Sequence, residues 1–302
     1  MLELMGPSFI LTAIASVVFG AIGTFVVARR IGYLTGSIAH SAFGGVSIGL
    51  WIQECVKYGA FGSAAIAACF LKNPGDAYEV CFRLSKYVSP VLAAFLFAIF
   101  AAILVDWIRC HAHEREETVL GAIWAIGAAV GLLVLEQIRD YVSPTSILFG
   151  DVLFVTRRDI ILTACLGLVI LALLLVNFKK LEAVCFDEEF AELRGINVRT
   201  QNRLLLILTA VTVVLLSRLV GMALIVAMLT LPAAAVSRFT KRLGTTIVAS
   251  IVLCFIGSWI GIATSYWLDI STGPTIILIV AIFYVAALVL RQPLHMLSLR
   301  TR

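Results

Sequence analysis

The chain has 302 residues, 61% of them hydrophobic and only 14% charged, with a formal net charge of +5. A soluble domain averages nearer half apolar and a quarter charged, so a mean hydropathy of +1.05 excludes a cytosolic enzyme, a secreted disulfide scaffold and a nucleic-acid-binding module. The apolar content suffices for about nine spans of roughly 20 residues, and the runs are continuous where a transmembrane barrel would alternate.

The expected fold is therefore all-α, a polytopic membrane bundle of about nine transmembrane helices. Apolar stretches fall near 9–28, 34–52, 88–108, 119–135, 159–178, 204–220, 221–237, 246–267 and 274–290. The first is preceded by Glu3 and no basic residue, so it lacks the n-region of a signal peptide and reads as a span. The second carries His40, with Gly36 and Gly44 one turn to either side. A histidine at membrane depth faces a bundle interior or a watery path, and imidazole suits first-row divalent metals. The plainer alternative is a histidine hydrogen-bonded across helices.

Segment 53–87 holds an apolar piece, Gly59 to Leu71, that is too short to span and reads as re-entrant or interfacial. Cys55, Cys69 and Cys81 fall in or beside it, and two of them could pair in an oxidising compartment. In Cys110-His111-Ala112-His113-Glu114 the two histidines look metal-like, although such a pair in a loop is more often solvated. The sixth and seventh apolar runs are continuous apart from Ser217, Arg218 and Gly221. Together they are too long for one crossing, and they split there into a helical hairpin. Small residues four apart (Ser37, Ser41, Gly45 and Gly49; Gly127 and Gly131; Gly257, Gly261 and Ser265) allow the close backbone approach that holds helices together in lipid.

Lysines and arginines collect at Arg29–Arg30, Arg109 and Arg115, Lys179 through Arg203, Arg238–Arg242 and Arg291–Arg302. These are alternate loops, which places them in the cytoplasm, with the N-terminus outside and the C-terminus inside. One of these loops contains Phe186-Asp187-Glu188-Glu189-Phe190-Ala191-Glu192-Leu193-Arg194-Gly195-Ile196. Asp187 can cap a short helix there, the acids suit its first turn, and Gly195 can end it. Phe190 and Leu193 form an apolar face suited to docking in a partner's groove. No GxxxxGK[ST] loop for nucleotide phosphates occurs. No nucleophile, base and orienting group can be assembled into an enzyme site.

These residues resemble the permease subunits of zinc/manganese-type metal-ion ABC transporters. The matching parts are Phe25 to Arg30, Ile38-Ala39-His40-Ser41-Ala42 with Gly45, Glu117 with Leu120-Gly121, and Leu148-Phe149-Gly150-Asp151. They continue through the Phe186–Ile196 loop, Val220-Gly221, Leu231-Pro232-Ala233-Ala234, and Asp269 with Gly273-Pro274. The resemblance implies one transmembrane permease domain over 1–302, with the fold of type II ABC importers and a homodimer or a pairing with a related paralogue. It implies a bacterial cytoplasmic (inner) membrane location, a separate cytoplasmic ATPase and an extracytoplasmic metal-binding protein. It further implies that no cofactor is permanently bound and that the cargo is zinc, manganese or iron.

By the same resemblance His40 matches a metal-path histidine. The 187–196 helix, with Asp187, Glu188, Phe190, Leu193 and Gly195, matches the coupling helix that meets the ATPase. The family often has an aspartate one turn before the histidine, where this chain has Gly36. Glu117 and Asp106, near span ends, are the acids best placed to substitute. The alternative function is a stand-alone secondary metal or cation transporter driven by an ion gradient. Such proteins commonly carry several mid-membrane acids or histidines and inverted repeats, and this chain shows neither.

Overall fold

The computed structural model describes residues 2–58, 90–111, 116–138, 144–150 and 155–300. The expected re-entrant piece at 59–71, Cys69, Cys81, His113 and Asp151 lie outside them. The described residues form twelve helices: α1 Leu2–Ala28, α2 Gly32–Tyr58, α3 Pro90–His111, α4 Glu116–Glu136, α5 Pro144–Phe149 and α6 Arg157–Val176. They continue with α7 Phe178–Phe186, α8 Glu188–Leu193, α9 Val198–Val220, α10 Met222–Val236, α11 Leu243–Leu268 and α12 Thr272–Arg300. The protein is an all-α polytopic membrane bundle.

Among the described residues seven helices are long and apolar enough to cross a bilayer, lying in α1, α3, α4, α6, α9, α11 and α12. The sequence led to about nine. The two others fall short for different reasons. Helix α10 is apolar but only 15 residues long. Helix α2 has 27 residues but dilutes its apolar content with Thr35, Ser37, His40, Ser41, Ser47 and four glycines between 36 and 49.

The helices divide into two compact units, Met1–Thr35 with Phe149–Arg302, and Gly36–Leu148. In the first unit α1 is central, packed by α6, α9, α10 and α11. Leu11, Phe19, Ile22, Phe25 and Val26 on it are fully buried. Gly20 and Gly23 let the backbones of Ile251 and Leu229 approach closely, which is how helices gain contact where lipid is as apolar as leucine. The buried hydroxyls of Thr12, Ser16, Thr24, Thr209 and Thr212 donate to carbonyls four residues back, which satisfies them without water.

The long apolar run breaks at Gly221, with φ +82°, a left-handed conformation open to glycine at little cost. Gly150 packs on the backbone of Val220 and Gly221, and Gly273 on the Phe149 carbonyl. Three of the motif segments noted above thus meet at one end of this unit. Helix α6 starts at a capping box, in which the Thr156 N–H donates to Asp159 at 3.2 Å and the Asp159 N–H to Thr156 Oγ1 at 3.4 Å.

In the second unit, Gly45 lies on Ala93 and Ala94 of α3, and Gly49 lies on Pro90. Gly127 of α4 sits on the backbone of His40 and Ser41, 2.7 Å from the His40 carbonyl to where a β-carbon would stand, and Gly131 faces the Phe43 ring. Ser37 Oγ donates to the Leu120 carbonyl at 2.8 Å. The small-residue stripes are packing seams between helices.

Candidate ion path and partner-docking loop

His40 lies half-buried on α2, facing α4. Its ring stacks on Trp124, with centroids 4.8 Å apart and planes 21° from parallel. The imidazole Nδ1 is buried and finds no hydrogen-bond partner among the described residues. The sequence suggested a bare glycine face around the histidine. The structure fills it, because a β-carbon at Gly36 would collide with the Trp124 ring, and one at Gly44 would press on the Gly127 carbonyl at 3.2 Å. Where the resembling family often places a carboxylate, this chain places an indole face.

Glu117 is exposed at the start of α4, on the stripe that continues through Leu120 and Trp124 at helical spacing. Asp106 is buried on α3 and already engaged. Among the described residues no three His, Cys, Asp or Glu side chains cluster closely enough to hold a metal ion. A pocket of about 180 Å³ beside Ser41 is lined by Phe97, Phe100, Leu104, Ile123 and Val130. With one hydroxyl in an apolar wall, it does not suit a hydrated cation.

Trp124 is the residue that sequence reasoning missed. Its only signal is a lone aromatic on the small-residue face of α4. Gly36→Asp should therefore lower the yield of monodisperse protein, since overpacking typically costs about 1–3 kcal/mol. Gly36→Asp with Trp124→Ala should restore it, and size-exclusion profiles in detergent compare the two. A single variant that behaves like wild type would show that the indole yields freely.

The loop after α6 has a small apolar core of its own. Asp187 Oδ1 accepts the Phe190 N–H at 3.0 Å, which caps α8. Gly195 (φ +76°) closes it: the Ile196 N–H reaches the Ala191 carbonyl at 3.0 Å and the Gly195 N–H reaches that of Glu192 at 2.8 Å. Ala191 is fully buried against Val184 and Val198, with Ile196 alongside, which pins α8 to α7 and α9. The other face is apolar and open: Phe186 is 67% exposed, Phe190 48% and Leu193 87%. The Arg194 guanidinium lies over the Phe190 ring at 4.7 Å, an arrangement that favours one ring orientation.

Among the acids of this loop Glu188 pairs with Arg29, the first residue after α1. Burial pushes the nearby Cys185 thiol up to about 11, with Arg29 pulling it down and Glu182 and Glu188 pushing it up, so it stays protonated at neutral pH.

The ABC 3 transport family model matches residues 1–79 and 74–291. The chain belongs to this family. A relative from Chlamydia muridarum, named a probable metal transport system membrane protein, is 33% identical over 290 residues, 96% of this chain and 89% of the relative. The high-affinity zinc uptake system membrane protein ZnuB of Haemophilus influenzae is 24% identical, over 97% of this chain and all of its own. Among solved structures, PsaBC from Streptococcus pneumoniae in complex with Fab matches with a TM-score of 0.75 at 25% identity, covering 94% of this chain and 90% of that one. The chain is thus a membrane subunit of an ABC-type transport family, matched along nearly its whole length.

Proposed function

We propose that this chain is the permease subunit of an importer for zinc, manganese or iron, driven by a separate cytoplasmic ATPase and supplied by an extracytoplasmic metal-binding protein. The observation that carries the ATPase partnership is α8. It is a helix outside the spans, capped at both ends and locked to its neighbours, with its Phe190 and Leu193 and the adjoining Phe186 of α7 turned outward. Apolar side chains grouped on a polar loop gain by docking in a partner's groove. Family membership and relatives named for metal transport support the cargo class.

The pairing is of two permease copies, identical or paralogous, in the bacterial cytoplasmic membrane, with α8 and the C-terminus on the cytoplasmic side. His40 stands on the ion path, and Glu117 is the acid on the α4 stripe whose Trp124 stacks on the histidine. The described part of one chain holds no complete set of ligands, which favours an ion path completed by the second copy.

Reconstitution with the ATPase and binding protein tests the proposal, with hydrolysis and uptake measured for zinc, manganese and iron(II). One metal should stimulate ATP hydrolysis above the others, in complexes containing two permease copies. Uptake by the permease alone, driven by an ion gradient, would sink the proposal in favour of a secondary transporter.

A further inference from the structure

Arg29 is the first residue after α1 and is only 16% exposed at its side chain. Its Nη1 donates to the Val184 carbonyl of α7 at 2.9 Å, and its Nη2 to Asn202 Oδ1 of α9 at 2.9 Å. The same Nη2 forms the ion pair with Glu188 of α8. One guanidinium therefore ties the end of the central membrane helix to every element of the loop. The local backbone fixes its place. Arg30 takes a left-handed φ of +57°, and the Ile31 N–H closes back on the Val26 carbonyl at 3.0 Å, ending α1 in a tight turn. A planar fork of fixed donors suits this task, since a lysine ammonium is a flexible point charge without that geometry.

We propose that Arg29 is a positioning residue that transmits movement of α8 to α1 and α9, and so couples the ATPase cycle to the spans. The proposal rests on the importer assignment above. The small apolar core of Val184, Ala191 and Val198 fixes α8 to α7 and α9 but not to α1. At this loop the arginine links the end of α1 to α7, α8 and α9 through polar contacts. Helix α1 in turn packs on α6, α10 and α11, so a displacement delivered there reaches most of the unit.

The sequence alone shows Arg29 only as one of several basic residues at a span end. Its partners lie far along the chain, and no spacing rule joins them.

The test uses the permease copurified with its ATPase and reconstituted in proteoliposomes with the binding protein outside. Zinc and manganese uptake are each measured per ATP hydrolysed. In Arg29→Met the ATPase should remain bound, because the docking residues are untouched, and hydrolysis should continue, while uptake per ATP falls about tenfold. Arg29→Lys should fall between wild type and Arg29→Met. Glu188→Ala should fall in the same direction, and the double variant Arg29→Met with Glu188→Ala should be no worse than Arg29→Met, as for residues acting as one unit.

Unchanged uptake per ATP in Arg29→Met overturns the proposal, and so does additivity of the two substitutions. Loss of ATPase binding in step with uptake also overturns it, since the arginine would then only build the docking surface. Should Arg29→Met not fold, Arg29→Lys and Glu188→Ala decide between the same outcomes. Absence of a copurifying ATPase with wild type is a different result, and it removes the importer assignment itself.

Discussion

Replacing His40 by alanine is expected to leave the protein assembled and its ATPase bound, while metal uptake falls about 100-fold or more. Loss of groups that merely orient a metal ligand already costs about 10–100-fold, and a ligand on the path itself should cost no less. The substitution should be tolerated structurally because the helix contact at this level is made by backbone. Gly127 rests on the His40 and Ser41 main chain, and that contact does not need the imidazole. What is lost is a half-buried ring whose Nδ1 has no partner among the described residues, and the stacking surface for Trp124. Trp124→Ala separates the two roles. It removes the stacking partner and keeps the imidazole, so uptake should survive in it and be lost in His40→Ala. Wild-type uptake by His40→Ala in proteoliposomes would take the histidine off the path.

The helical bundle was legible because its cause is local. Continuous apolar runs of helix length have few other uses, and the break at Gly221 stands in the sequence as a glycine inside an apolar stretch too long for one crossing. The ends of α8 were legible for the same reason, since Asp187 and Gly195 act on backbone groups within a few residues. The surroundings of His40 were not. Gly36 and Gly44 mark positions where something approaches, but a single sequence does not say what. Space that looked open to an ion belongs to Trp124 and to the Gly127 backbone. The partner of Glu188 was hidden for the same reason. The residue reads as one acid among several in a loop, and the Arg29 it pairs with is separated from it in the sequence by an intervening series of spans. Contacts between remote segments leave no periodicity to read.

Phe190→Ala is expected to weaken ATPase association, and of the changes on α8 it should have the largest effect. An aromatic anchor buried in a partner's groove typically contributes about 2 kcal/mol or more, which corresponds to roughly thirtyfold in affinity. The ring is well prepared for this. Arg194 covers one side at 4.7 Å, the backbone beneath is held by the Asp187 cap, and about half of the side chain remains open. Little ordering is left to be done on binding, so most of the contact appears as affinity. Leu193 and Phe186 protrude further but carry no such support, and Leu193→Ala and Phe186→Ala should each weaken association by less. Glu189 and Glu192, which unlike Glu188 make no ion pair with Arg29, are placed to steer encounter, so neutralising them should change the association rate and its salt dependence more than the lifetime of the complex. Because Phe190 faces away from the Val184–Ala191–Val198 core, its loss should not unfold the loop, and the Arg29 links should persist. Copurification of the ATPase with wild type and with Phe190→Ala, across a range of salt concentrations, measures the effect directly. Equal recovery together with equal metal uptake would reduce α8 to a connector between two membrane helices.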